Sequence, residues 1–317
     1  MQLHIRHVTH YRYERPVKYS VQSLHLTPRR DPTQRALTWS ITAPGRRLEQ
    51  IDAHGNIQHL LTIEQPHREI QIVVRGVVET ADTDARQDDG PLSPLAYLAP
   101  TALTAPNEEI KAFARKAVEH AKEPWERCEA LAEAVVRAVR YKSGTSDVQD
   151  SAAAAFKSGE GVCQDHAHVY ITAARTLGIP ARYVSGYLYS GESSDAASHA
   201  WGDVWLGPDN GWRSLDVTHQ CPAIRNTPQP REARVKSLLL LLERRLGDQH
   251  VRLHSLPAAS LAYAPHRRRI EVVAAHREPA IGADRRTLMR HVQAAPPVIR
   301  PQPDIAPGMA RGVTALA

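Results

Sequence analysis

Gly161-Val-Cys-Gln-Asp-His-Ala-His-Val-Tyr-Ile-Thr-Ala-Ala-Arg-Thr-Leu-Gly-Ile-Pro180 decides the fold. From Cys163 to Leu177 the spacing predicts a helix with Ala167, Tyr170, Ile171, Ala174 and Leu177 facing inward, and Gly178 and Pro180 supply its stop signals. The helix starts directly after a glycine-bearing bend, so Cys163 falls in its first turn. Unpaired N–H groups and the positive end of the helix dipole favour a thiolate there. The same donors can hold the oxyanion that forms when a thiolate attacks an amide carbonyl.

Downstream lie three strand candidates, Ala181–Tyr189, His199–Leu206 and Trp212–Val217. A cysteine nucleophile needs a base, and Ser198-His199-Ala-Trp201 opens a strand able to supply one across a helix–sheet interface. The imidazole needs an acceptor on its other nitrogen to fix its tautomer. Leu215-Asp216-Val217 ends the next strand, beyond a Gly207-Pro-Asp-Asn-Gly211 turn, and antiparallel pairing would set Asp216 beside His199. Cys163, His199 and Asp216 are therefore the expected catalytic residues.

Upstream of the nucleophile, Asn107 caps a helix carrying Glu108 and Glu109 in its first turn and an Ile110, Phe113, Ala114, Ala117 stripe. A second helix begins near Pro124, with Trp125, Cys128, Leu131, Ala132, Val135, Val136 and Val139 on one face. Cys128 on that stripe reads as a small buried hydrophobe. A short Ala-rich helix, Ala152–Phe156, ends at Lys157-Ser-Gly-Glu-Gly161. Before Asn107, residues 83–106 have no periodic pattern and read as a linker. Residues 1–82 alternate with period two, as in Leu3, Ile5, His7, Thr9, Tyr11 and Tyr13, with Asp52-Ala-His-Gly55-Asn56 as a hairpin turn. The expected organisation is an N-terminal antiparallel β domain (1–82), the linker, an α+β catalytic core (107–222) and an atypical tail (223–317).

Composition narrows the function classes. Hydrophobic residues make up 42% and charged residues 23% of the chain, enough to bury a core. The N-terminus has no apolar block of a secretory leader, and Leu238–Leu242 is far short of the ~20 apolar residues of a membrane span, so a cytoplasmic protein without a membrane partner is expected. Residues 222–317 hold 16 Lys and Arg against 7 Asp and Glu, a net +9 that leaves −3 for the rest of a chain whose total is +6. The basicity thus sits away from the chemical motifs, in a tail with Tyr263 as its one aromatic residue, which argues against nucleic acid as a partner. Three scattered cysteines suggest free thiols. His166 and His168 are two apart and face different sides of a helix, so no metal or other cofactor is expected. Asp165 reads as an acceptor for local backbone N–H groups, Trp201, Trp205 and Trp212 as core or cleft wall, and Tyr141 as a candidate second oxyanion donor.

Gly161-Val-Cys-Gln-Asp-His-Ala-His168, Gly178-Ile-Pro-Ala-Arg-Tyr-Val-Ser-Gly-Tyr187, His199-Ala-Trp201 and Gly211-Trp-Arg-Ser-Leu-Asp216 resemble the bacterial transglutaminase-like family in order and spacing. Thr9-His-Tyr-Arg-Tyr13, Pro16-Val17, Leu26-Thr-Pro-Arg29 and Asp52 with Gly55-Asn56 are similar to that family's N-terminal β domain. The resemblance implies a papain-like core with Cys163 as nucleophile, His199 as general base and acid, and Asp216 orienting His199. A peptide or protein amide is the expected substrate, with hydrolysis or amine transfer resolving a Cys163 thioester. The competing expectation is a catalytically silent scaffold that binds peptides or a partner protein in the same cleft. Oligomeric state stays open. After Asp216 the pattern departs from the family: an Arg- and Pro-rich stretch without Trp or Phe follows Pro222, with one helix expected over Leu238–Leu246. This tail reads either as divergent and poorly ordered or as the product of a reading-frame change.

Overall fold

The computed structural model describes residues 2–80, 90–146, 149–189, 197–219, 221–222, 238–245 and 267–275. Strand β1 (Gln2–Val17) alternates as its sequence demands, with Leu3, Ile5, His7, Thr9 and Tyr11 buried. Strands β2 (Ser20–Leu24), β3 (Gln34–Thr42), β4 (Arg46–Ile51), β5 (Ile57–Ile63) and β6 (His67–Thr80) complete the N-terminal half. β1 pairs antiparallel with β6, β6 with β3, and a second sheet runs β2-β5-β4. Tyr11, Leu24, Ile41, Leu61, Ile63, Ile70, Ile72 and Val74 fuse into one core cluster. The β4–β5 connection is held by Asp52, whose carboxylate accepts the backbone N–H groups of His54 (2.9 Å) and Asn56 (2.8 Å). Gly55 there has φ of 77°, a left-handed conformation that glycine adopts without steric cost.

The segment expected as a bare linker carries a 3-10 helix, Pro94–Leu98, capped by the Ser93 hydroxyl. Its Tyr97 is buried, edge-on to Trp212 with ring centroids 5.2 Å apart, and its hydroxyl meets His54 Nδ1 at 3.2 Å. One tyrosine thus touches both halves of the chain. A second bridge joins His7 Nδ1 to the Tyr187 hydroxyl at 2.6 Å.

Helices α1 (Glu108–Ala117), α2 (Pro124–Ala138), α3 (Ala152–Ser158) and α4 (Cys163–Thr176) pack as the apolar stripes require. Asn107 caps α1 by accepting the Ile110 N–H. Gln164 through Arg175 of α4 are buried, the mark of a helix enclosed by its neighbours. α4 rests on a sheet of order β12-β11-β10-β9-β13, in which β9 is Ala181–Tyr189, β10 Ala197–Trp205, β11 Trp212–Asp216, β12 Cys221–Pro222 and β13 Leu238–Arg245. Ala200, Val204, Leu215 and Val217 join α2, α3 and α4 in the second core cluster. This is the α+β, papain-like arrangement expected from the sequence.

The expected helix at Leu238–Leu246 is instead the strand β13, paired antiparallel with β9 from Leu238 opposite Tyr189 to Arg245 opposite Tyr183. Residues Arg267–Ala275 form a further strand, β14, on the free side of β1, from Ala275 opposite Gln2 to Arg267 opposite His10. The preference of leucine for helix amounts to a few tenths of a kcal/mol per residue, which the unpaired backbone of a sheet edge readily overrides. The rest of the tail, and with it the alternatives of poor order or a frame change, lies outside the described residues. Among the described residues, no helix is long and apolar enough to cross a membrane.

Candidate active site

α4 begins where Asp165 makes it begin. The Asp165 carboxylate Oδ2 accepts the Val162 N–H at 2.7 Å and the Ser146 hydroxyl at 2.6 Å, closing the bend in front of the helix. A Cβ on Gly161 would stand 2.6 Å from the Asp165 Cβ and 2.8 Å from Oδ2, so only glycine fits the bend. Two short strands, β7 (Arg140–Tyr141) and β8 (Glu160–Gly161), pair in parallel and set Tyr141 beside Gly161. Tyr141 is half exposed at the mouth of the site. Burial, and then the charge of Cys163, push its phenol pKa upward, so the hydroxyl keeps its proton beside the thiol.

On the sheet, Gly202 faces Leu215, and the register carried one residue further sets Trp201 opposite Asp216. His199, two residues before Trp201 and on its face, is therefore a diagonal neighbour of Asp216 rather than its direct partner. Its Nε2–H donates to Asp216 Oδ2 at 2.8 Å, and its ring stacks on Trp201 with centroids 6.3 Å apart. Both residues are buried. Burial works against the imidazolium, but hydrogen bonds to Asp216 and to Cys163, with the charges of both, prevail and push the pKa of His199 up to about 9. Burial likewise opposes the Asp216 carboxylate, yet hydrogen bonds from His199 and His219 bring its pKa down to about 2. With Nε2 committed to the carboxylate, Nδ1 is the nitrogen left for the Cys163 thiol. The structure thus brings together the three residues that the sequence singled out.

The two histidines of α4 face apart. His166 Nε2–H donates to the Val139 carbonyl at 2.8 Å, and its Nδ1 accepts the Thr218 hydroxyl at 3.1 Å. Burial, the largest influence, holds the His166 pKa below the ordinary histidine range. His168 is buried beside the Tyr183 ring, with centroids 5.2 Å apart. Beneath the site, Arg182 Nε donates to Asp203 Oδ2 at 2.9 Å while its guanidinium lies 3.9 Å from the Trp212 ring centroid, and Ser214 donates to the same carboxylate. Trp212 is therefore core, as expected. The residue that sequence reasoning missed is His219. Its Nδ1–H donates to Asp216 Oδ2 at 2.7 Å, and its backbone N–H to Oδ1 at 3.3 Å. Its signal was the Asp216-x-x-His219 spacing, which a turn after a strand folds back onto the acid. His199, Asp216 and His219 place one donor atom each within 4.8 Å of one another, the described set closest to a metal centre. Hydrogen bonds among them already account for that convergence.

A thiol at a helix N-terminus, facing an imidazole that is oriented by a buried carboxylate on a neighbouring strand, defines the papain-like class of thiol site. Comparison with known proteins then gives the family. Residues 3–79 match the bacterial transglutaminase-like N-terminal region and residues 111–217 the transglutaminase-like superfamily core, and the chain belongs to this superfamily. The uncharacterized protein ML0607 of Mycobacterium leprae is 32% identical over 235 residues, covering 68% of this chain and 83% of that protein. Protein Mb2599c of Mycobacterium bovis is 28% identical over 244 residues, covering 68% and 78% of the respective chains. Among solved structures, a candidate cysteine protease from Cytophaga hutchinsonii shares the fold, with a TM-score of 0.65 at 19% identity over 88% of this chain and 92% of that one.

Proposed function

We propose that the protein is a cysteine-dependent acyl-transfer enzyme acting on amide bonds, with Cys163 as nucleophile, His199 as general base and acid, and Asp216 as the group that orients His199. One observation carries this reading: His199 is hydrogen-bonded to a buried carboxylate and lies close enough to the thiol at the start of α4 for that thiol to help raise its pKa. His199 takes the thiol's proton as general base, and Asp216 balances the charge of the imidazolium. The thiolate attacks the amide carbon, forming the S–C bond and an oxyanion that the N–H groups of the first helical turn can receive, since these have no acceptor within the helix. Tyr141, beside the thiol with its hydroxyl protonated, is the proposed second donor. As the C–N bond breaks, His199 delivers its proton to the leaving amine, and a thioester remains on Cys163. Water or an amine then attacks the thioester, giving its proton to His199, and the thiolate leaves restored. Hydrolysis is the outcome we favour, and the description of the Cytophaga protein as a candidate cysteine protease points the same way.

Iodoacetamide near neutral pH tests the pair directly. Cys163 is expected to be alkylated well before Cys128, which is fully buried and whose thiol pKa burial pushes up to about 11. The rate at Cys163 should fall in His199→Ala, while Cys128 stays protected by its burial. Equal labelling of both cysteines, or a rate unchanged in the variant, would defeat the assignment. Glutamine-containing peptides assayed for cleavage, ammonia release and amine incorporation then separate hydrolysis from transfer.

A further inference from the structure

We propose that His219 is a positioning residue of this site, a second imidazole that clamps the Asp216 carboxylate and, through it, the ring of His199. The inference rests on the reading that His199 and Asp216 serve Cys163, and it goes beyond that reading by adding a fourth residue. Rotation of an aspartate carboxylate about its terminal bond is broad and weakly constrained. One hydrogen bond to His199 would leave that rotation open. His219 removes it by holding both oxygens, its ring nitrogen on Oδ2 at 2.7 Å and its backbone N–H on Oδ1 at 3.3 Å. Oδ2 thus serves two imidazoles, at 2.7 and 2.8 Å, which a carboxylate oxygen with two lone pairs can accommodate.

Two further observations separate this contact from a casual surface pair. The turn that carries His219 is pinned from inside, because Thr218 donates to His166 Nδ1 and His166 Nε2–H donates to the Val139 carbonyl just beyond α2. His219 is therefore aimed at Asp216 by a chain of bonds that runs to another element. Solvent exposure also falls steeply across the group: the His219 side chain is 38% exposed, that of His199 5% and that of Asp216 1%. His219 is the layer between the carboxylate and water. Without it water would solvate Asp216, and its hold on His199 would weaken.

Three measurements test the proposal. His219→Ala is expected to lower kcat on a cleavable peptide by roughly ten-fold with KM unchanged, because what is lost is alignment of the reacting groups rather than substrate contact. The alkylation rate of Cys163 should fall in parallel. In proton NMR, the downfield resonance of the His199 Nε2–H should be sharp in the wild type and broadened in His219→Ala. His219→Asn presents an amide N–H at nearly the position of the imidazole Nδ1, and it should restore both the resonance and most of the rate. An alanine variant that keeps its rate and resonance overturns the proposal, as does an asparagine variant no better than alanine. If His219→Ala loses thermal stability, the asparagine comparison still decides. If no peptide is turned over even by the wild type, the functional reading fails, while alkylation and the NMR signal still report on His219.

Discussion

At the scale of single residues, the site is a set of mutually opposed charges whose balance makes it sensitive to pH. His199 rises from an ordinary 6.5 to about 9 on folding. A group whose pKa is raised by folding stabilises the protein fully below its unfolded pKa, and that contribution is lost as pH climbs through the folded value. At ~1.4 kcal/mol per pKa unit the His199 contacts are worth on the order of 3 kcal/mol near neutral pH. Asp216 shifts the other way, from 3.8 to about 2, so its contribution is present above 3.8 and disappears only as pH falls through about 2. Both shifts describe largely one contact and are counted once. Wild type should therefore exceed His199→Ala in stability at pH 7, and the gap should close between pH 7 and pH 10. Urea midpoints at both pH values check this, and a gap that stays constant would mean that the imidazolium is not what the fold stabilises. In the proposed reaction the same proton is the one delivered to the leaving amine, so turnover should also decline as pH passes about 9.

At the scale of elements, the chemistry depends on where α4 starts and how closely it lies on the sheet, and one glycine governs each. Gly161→Ala would drive a methyl group into Asp165, 2.6 Å from its Cβ, and break the bond from Val162 that closes the bend. Loss of such a cap costs about 1 kcal/mol, but the displaced thiol should matter more, and Cys163 alkylation is expected to slow by at least ten-fold while the protein stays folded. Gly202→Ala acts elsewhere: its methyl would meet the Tyr170 ring at 2.9 Å, where β10 lies beneath α4. Overpacking of this kind costs roughly 1–3 kcal/mol, and thermal melts should show a lowered midpoint for this variant with Cys163 still the preferred thiol. Much of this was legible in the sequence. Cys163, His199 and Asp216 announce themselves because a helix start and two strand registers follow from local patterns. The diagonal offset of His199 from Asp216 was not legible, since it depends on the length of the Gly207–Gly211 turn. His219 left only the Asp216-x-x-His219 spacing as a signal, and its role exists only once the turn after β11 folds back.

At the scale of the whole molecule, local pattern gives way to pairing between distant segments, and here the sequence misled. Leu238–Leu242 followed by Glu243, Arg244 and Arg245 reads as a helix from residue preference, yet the backbone pairs with β9, and Arg267–Ala275 pairs with β1 some 260 residues earlier in the chain. Both pairings close sheet edges. Without β13, β9 would become the edge of the sheet that carries His199 and Asp216; without β14, the nine positions from Gln2 to His10 of β1 would be left unpaired on one side. Exposed edges of that length are templates for association with other chains. A chain ending at Pro222 is therefore expected to unfold at a lower temperature and to associate as its concentration rises. Its site should suffer less, because β10 and β11, which carry His199 and Asp216, keep β9 and β12 as neighbours. Calorimetry and sedimentation would read the first effect, and the ratio of Cys163 to Cys128 labelling the second. A truncated chain that stays monomeric with an unchanged midpoint would show that these two strands add nothing to the fold. A truncated chain that loses its labelling preference while still folded would show instead that β13 supports the reactive thiol through β9, which would make the tail part of the active-site scaffold.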